Sequence, residues 1–327
     1  MRHRRMGRLG WQVSEIGYGM WGIGGGPGGF TGWDYDTAPG CLDLAVELGC
    51  TFFDTAWVYG RGISEQMLGA LLRRHPDRRL YVATKIPPKN RAWPPAPTDT
   101  LTDVFPADHI REYTRRSLDN LGVERIDLLQ LHVWEDRWAK ETQWQETIGG
   151  LKQEGVVDAV GISVNRWEPT NCVAALDSGL IDVIQVIYNI FDQAPEDELF
   201  PRAQRDDIAI IARVPFDEGS LTGTVTADST WPAEDWRSTY FGPENLPPTV
   251  ARTEALAAEV PDGMTMPELA LRFILDHPAV STVIPGMRTT TNVRANLSVS
   301  DGVPLDPALR SRLRRHRWDR TPTWWSQ

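Results

Sequence analysis

Apolar and polar positions along the chain change rhythm in a regular way. Short runs dense in Val, Ile and Leu alternate with longer stretches in which apolar residues return every three to four positions. These are the periods of buried strands and of one-sided helices. The runs predict strands over Glu15–Gly19, Thr51–Thr55, Leu80–Lys85, Ile126–Leu131, Val157–Ser163, Ile181–Ile187, Ile208–Ala212 and Val280–Ile284. Helical spacing falls between and after them, over Ala38–Leu48, Ser64–Arg74, Asp108–Leu121, Thr142–Glu154, Glu168–Ser178, Glu196–Asp206, Met266–Asp276 and Thr291–Leu297. Ahead of the first run, His3–Arg8 and Gln12–Ser14 flank Leu9-Gly10 and read as a β-hairpin.

Unbroken apolar strands are the mark of parallel strands covered on both faces. Eight strand–helix units predict an α/β fold, a (β/α)8 TIM barrel of one domain spanning residues 1–327, with the hairpin at its N-terminus. An open doubly wound sheet is the competitor. It is disfavoured because no Gly-x-Gly-x-x-Gly turn follows the first strand. The glycine-rich stretch Gly22–Gly29 lies too far past that strand and reads as a flexible loop at the barrel mouth. Two connections are long, Ile86–Phe105 and Val214–Pro248. Both follow strand ends, and loops of that length in a compact domain usually carry function.

Composition narrows the classes. Forty-one per cent hydrophobic and 24% charged residues over 327 positions indicate a globular chain. A net charge of −10 argues against a nucleic-acid binder. No apolar run is long enough to span a bilayer, and the basic start MRHRRMGRLG lacks the apolar core of a signal peptide. Cys41, Cys50 and Cys172 have no metal-like spacing, so we expect buried thiols, no bound metal and a reducing cytoplasm. Tryptophan is in excess, 14 against 7 Tyr and 9 Phe.

Polar residues at barrel strand ends are catalytic candidates. Asp54 ends the second strand, Tyr59 follows in the next loop, Lys85 ends the third strand and His132 ends the fourth. A lone strand-end Asp is more often a turn residue, a lone His a satisfied one, and a lone Lys snorkels to water. Three consecutive strand ends carrying Asp, Lys and His beside a Tyr are hard to reach by chance. Asp54 can pair with Lys85. Lys85 in turn favours the Tyr59 phenolate, lowering a pKa normally near about 10. Such a tyrosine is an acid for a carbonyl oxygen gaining charge. His132 orients that oxygen. The set contains no nucleophile and suits carbonyl reduction with hydride from a cofactor.

These residues sit in motifs that resemble the aldo-keto reductase family over essentially the whole chain. The stretch Phe52-Phe53-Asp54-Thr55-Ala56-Trp57-Val58-Tyr59-Gly60, with Ser64-Glu65 after it, is similar to the family's most specific signature. Ala83-Thr84-Lys85, Asp127–His132, Gly161-Ile162-Ser163 and Ile284-Pro285-Gly286 are similar to its later blocks. The resemblance implies a metal-free (β/α)8 oxidoreductase that reduces an aldehyde or ketone with NADPH. Asp54, Tyr59, Lys85 and His132 would form its tetrad, with Tyr59 the acid. It places the dinucleotide across the strand ends, near Trp21 and Asp54. Ser163 and Gln185 would hold the carboxamide. Arg213 stands where relatives carry a stacking aromatic residue, and Pro215 and Phe216 follow it. Gly219 and Leu221 belong to the pyrophosphate loop. Gly286, Arg288, Asn292 and Asn296 fall in the segment for the adenosine 2′-phosphate and the adenine.

Indoles cluster near these positions. Trp21, Trp57 and Trp134, with Tyr59 and His132, are expected to wall a substrate pocket. Trp33, Trp93, Trp231 and Trp236 sit in mouth loops, and Trp324 and Trp325 close the chain. The expected partner is a small carbonyl compound. Two other classes compete: a nicotinamide-binding redox sensor with little turnover, against which the intact tetrad argues, and an aldolase using Lys85 as a Schiff base, disfavoured because Asp54 keeps Lys85 charged.

Overall fold

A computed structural model of the chain describes residues 1–25 and 29–320. Eight parallel strands stand side by side in chain order: β1 Tyr18–Gly19, β2 Phe52–Asp54, β3 Tyr81–Ile86, β4 Ile126–Leu131, β5 Val157–Ser163, β6 Val183–Ile187, β7 Ala209–Arg213 and β8 Val280–Val283. The sheet closes on itself. Parallel bridges join Ile16 to Val283 and Gly19 to Gly286. Gly17 N–H donates to Val283 O at 2.8 Å and Gly19 N–H to Pro285 O at 3.0 Å. Glycine is required at 19, because a Cβ there would lie 2.5 Å from Ile284 O.

The barrel interior is filled by Phe52, Ala83, Leu128, Ala159, Val183, Ala209 and Ile211, all buried. The hairpin, His3–Arg5 paired antiparallel with Gln12–Ser14, adds Met6 and Val13 to that cluster and plugs the N-terminal end. The larger core lies between the strands and the outer helices α1 Ala38–Glu47, α2 Ile63–Arg74, α3 Ala107–Leu121, α4 Thr142–Gln153, α5 Val173–Leu176, α6 Leu199–Arg205, α7 Met266–Leu275 and α8 Thr290–Ser298. All strands therefore end on one face, the face that carries the long loops.

The expected helix Glu168–Ser178 is reduced to the single turn of α5. Asn165 Oδ1 takes the Glu168 N–H at 2.9 Å. The Asp136 carboxylate takes the N–H groups of Ala174 and Ala175 at 2.6 and 2.9 Å. Asn165 holds the backbone in a turn at Glu168, and Asp136 takes amides of the first turn of α5 from outside, so the helix begins only there. Further helices appear that the spacing did not predict. Trp21–Gly24 opens the glycine-rich stretch, of which residues 26–28 lie outside the described residues. Leu246–Ala257 carries Pro247 and Pro248 in its first turn, where no amide hydrogen is needed. Pro307–Arg314 follows α8.

Candidate active site

Asp54 and Lys85 are brought together by register, β2 lying beside β3 at their shared end. Both are buried, at 2% and 0% exposure. Lys85 Nζ donates to Asp54 Oδ2 at 2.6 Å, to Thr55 O at 2.8 Å and to Tyr59 Oη at 3.4 Å. Asp54 Oδ1 accepts from Gln185 Nε2 at 2.7 Å and from Gln130 Nε2 at 3.2 Å. The buried pair is thus compensated on every side, which is what an ion pair out of water requires. Gln130 was not anticipated. It sits two residues before His132 on β4, and its role becomes visible only when four strands meet.

Tyr59 is held by the packing of two loops. Gly60, at φ +65°, presses on the loop after β1 so closely that a Cβ would lie 2.0 Å from Gly24 O. The Tyr59 ring meets the His132 ring edge-on, with centroids 5.9 Å apart. His132 Nδ1 is buried with no hydrogen-bond partner among the described residues. Trp93, from the loop after β3, meets His132 edge-on at 5.9 Å.

Burial decides the titration of this cluster. It pushes the Tyr59 hydroxyl above its ordinary value, with Lys85 pulling the other way and losing. The direction is the reverse of the expected lowering, and the Asp54 charge, which offsets part of the ammonium's pull on the phenol, contributes to it. Burial, then the charges of Lys85 and Arg213, hold His132 well below the usual histidine range. At neutral pH the site therefore holds a protonated phenol and a neutral imidazole.

Asp54 and Tyr59 open into a cleft of about 660 Å³ that runs over the ends of β6, β7 and β8 toward α8, while Lys85 and His132 are not part of its lining. Trp21, Asp54, Tyr59, Gln185, Arg213, Pro215, Phe216, Gly219, Gly286, Arg288, Asn292 and Asn296 all line it. Other expected residues fall outside the lining. Ser163 is buried beside Gln185 in the sheet and is not part of the lining. Leu221 belongs to the core. Its N–H and that of Gly219 both donate to Phe216 O, at 3.0 and 2.8 Å, so the loop satisfies itself. Trp57 faces the helix layer, stacking edge-on against Tyr113 at 4.8 Å. Trp134 is buried against Trp138 and Trp144, at 5.7 and 5.1 Å. Of the five residues expected to wall the substrate pocket, Trp21 and Tyr59 line the cleft and Trp57, Trp134 and His132 do not. Trp324 and Trp325 lie outside the described residues.

Arg213 at the end of β7 donates to Val164 O at 2.9 Å, and its Nε is buried with no partner among the described residues. Burial, then the charge of Arg166, pushes it down to about 10. Arg288 donates to Thr31 O at 2.5 Å, and its guanidinium lies 5.7 Å from the centre of the Phe30 ring. The helix Trp236–Tyr240 reaches across to the loop after β1. Asp235 Oδ2 accepts from the Thr31 N–H and hydroxyl at 2.8 and 2.7 Å, and Trp236 N–H donates to Gly29 O at 3.0 Å. This seam joins the cleft wall bearing Trp21 and Phe30 to the wall bearing Trp231 and Arg237.

Behind the β7 wall lies a buried polar cluster that sequence reading missed. Val214, Asp217, Glu218 and Gly219 all take positive φ, at +54°, +44°, +56° and +116°. Three of these are not glycine, so the backbone is strained unless its surroundings fix it. Asp217 accepts from the Tyr240 hydroxyl at 2.6 Å, from Arg320 at 2.7 Å and from the Ser220 hydroxyl at 2.7 Å. Arg166 donates to the Tyr240 hydroxyl and lies 3.6 Å from Asp217. No sequence signal marks these residues, because they come from four separate segments.

Among the described residues, no group of three or more His, Cys, Asp or Glu is arranged to hold a metal. No helix there is long and apolar enough to cross a membrane.

A profile of the aldo/keto reductase family matches residues 15–317. The chain belongs to this family. It is 30% identical over 300 residues to the NADH-specific methylglyoxal reductase of Escherichia coli (strain K12), covering 88% of this chain and 89% of that protein. It is 29% identical over 292 residues to the D-threo-aldose 1-dehydrogenase of a Pseudomonas species, covering 84% and 85%. Among solved structures, the holo form of aldo-keto reductase AKR11C1 from Bacillus halodurans superposes with a TM-score of 0.77 at 25% identity, over the whole of both chains. The glycerol dehydrogenase AKR11B4 from Gluconobacter oxydans gives 0.77 at 26%, over 96% and 94%. As a member of this family, the chain is an oxidoreductase of small carbonyl compounds, and the family works with nicotinamide cofactors.

Proposed function

We propose that the protein reduces an aldehyde or ketone to an alcohol with NADPH, with Tyr59 as the general acid. The observation that carries this reading is Lys85 Nζ, held between the Asp54 carboxylate and the Tyr59 hydroxyl. The cleft suits a dinucleotide in volume and donors: Gln185 and Arg213 stand beside the tetrad, and Arg288, Asn292 and Asn296 at the far end. Arg213, which lines the cleft, carries a cationic donor group into this region. A nicotinamide bound there supplies hydride to the carbonyl carbon.

The chain's residues do the rest. Neutral His132 and Tyr59 orient the carbonyl oxygen between them, and the Tyr59 Oη proton moves to that oxygen as charge develops. Lys85 stabilises the phenolate left behind, and Asp54 holds Lys85 in place. Trp21, Phe30, Phe216 and Trp231 make a broad aromatic surround suited to flat or ring-bearing carbonyl compounds. Arg288 supports the choice of the 2′-phosphorylated cofactor. The three cysteines are buried and unpaired, which supports a reducing cytoplasm.

The test is reduced-cofactor consumption with an aromatic aldehyde or quinone. Tyr59→Phe is expected to retain dinucleotide binding and lose about 10²–10⁴-fold in kcat. Retained turnover overturns the role of Tyr59. Arg288→Ala is expected to raise the KM for NADPH and leave that for NADH unchanged. Wild-type kcat/KM for NADH equal to or above that for NADPH overturns the cofactor preference.

A further inference from the structure

The buried cluster behind the β7 wall has a feature that packing alone does not require. One of its two guanidiniums comes from the far end of the described chain. Arg320 is nearly fully buried and bonds to Asp217 Oδ1 at 2.7 Å across 103 residues of sequence. It also donates to the Tyr240 hydroxyl and lies 3.7 Å from Asp192. Its segment is anchored beside it. Trp318 N–H donates to Phe191 O at 2.8 Å, and the Arg320 guanidinium sits 4.1 Å from the centre of the Trp318 ring.

What this arginine grips is the cleft wall. Val214, Pro215, Phe216, Glu218 and Gly219 all line the cleft. Within that stretch three residues other than glycine hold positive φ. Such a backbone persists only where its surroundings over-determine it. Asp217 is its anchor, with a fully buried side chain, and its negative charge is met by Arg320 more closely than by Arg166, at 2.7 against 3.6 Å. Without Arg320, the buried carboxylate loses its direct charge partner. The backbone can then satisfy Asp217 by turning it toward water, and that turn releases the wall.

We infer that Arg320 is a positioning residue, a C-terminal latch that holds the 214–219 wall in its ligand-gripping shape and sets how long a dinucleotide stays in the cleft. Arg320 does not line the cleft, and the tetrad lies outside the cluster it joins, so its loss acts on retention and leaves the proton transfer at Tyr59 intact. The inference rests on the dinucleotide reading of the cleft given above.

The experiment measures NADPH and NADH binding to the full chain by stopped-flow fluorescence, with steady-state kinetics alongside. Arg320→Met keeps an unbranched side chain of similar reach beside Trp318 and removes the charge pair. It is expected to raise the dissociation rate and Kd at least tenfold, with kcat at saturating cofactor unchanged within twofold or increased. Arg320→Lys is expected to recover part of the affinity. Arg317→Ala, which removes exposed pairs to Asp197 and Asp319 in the same segment, is expected to leave the dissociation rate unchanged. If Arg320→Met does not fold, Tyr240→Phe carries the test, because it removes the hydroxyl to which both guanidiniums donate. Wild-type binding with dissociation rates unchanged in the folded variant overturns the latch. So does an equal effect from Arg317→Ala. A wild-type chain that binds neither nucleotide overturns the reading of the cleft itself.

Discussion

At the scale of single residues, the tetrad combines a compensated ion pair with two groups that titrate outside the neutral range. Burial raises Tyr59 and lowers His132. Tyr59 therefore loses its proton only above the ordinary tyrosine range, and His132 gains one only well below its usual value of about 6.5. The expected pH profile of kcat/KM for reduction is flat from about pH 6.5 to about 9, with its alkaline fall above about 10. An inflection near 6.5 that disappears in His132→Asn contradicts this assignment. The grouping was legible because Asp54, Lys85 and His132 each end an apolar run, where side chains point one way in a barrel, and Tyr59 follows Asp54 within the next loop. The sign of the tyrosine shift was not legible. It depends on how much water the fold removes, and sequence carries charge types but not solvent exposure.

At the scale of elements, the turn after β7 places a carboxylate in the wall of a cleft proposed to bind a polyanion. Burial pushes Glu218 up to about 7 despite the opposing charges of Arg166 and Arg213. Below that value the side chain is neutral, and above it the carboxylate repels an anionic ligand. Dinucleotide affinity is therefore expected to strengthen as pH falls from 8 to 6, with proton uptake on binding. Isothermal titration in buffers of different ionisation enthalpy measures this uptake, and Glu218→Gln is expected to abolish the pH dependence. Unchanged Kd across that range overturns the linkage. Strands and outer helices were mostly legible from their periodicity. The mouth elements were less so. Pro247 and Pro248 looked like loop and sit inside a helical first turn, while Trp134 looked loop-borne and packs into a three-tryptophan core. Periodicity reports burial within one element, and these positions are decided by contacts from others.

At the scale of the whole molecule, the barrel depends on one tight closure. β1 and β8 meet through the glycines of the first strand, and a Cβ at position 19 would sit 2.5 Å from Ile284 O. Gly19→Ala must separate the two strands. It is expected to cost about 1–3 kcal/mol of unfolding free energy, the usual range for overpacking, measured by urea denaturation. A stability equal to wild type overturns this account of the closure. The eightfold rhythm made the closed barrel legible. The cluster of Arg166, Asp217, Tyr240 and Arg320 was not, since the four are drawn from segments up to 154 positions apart and no local pattern links them.

The seam between Thr31 and Asp235 bears on how such a barrel diversifies. Mouth loops are ordinarily exchangeable parts, each free to vary on an unchanged scaffold. Here two loops 204 residues apart share a carboxylate that is 1% exposed. Transplanting either loop alone strands Asp235 without the donors of Thr31, or Thr31 without its acceptor. In modular terms the two loops form one cassette, and any remodelling of this cleft by recombination has to move both together.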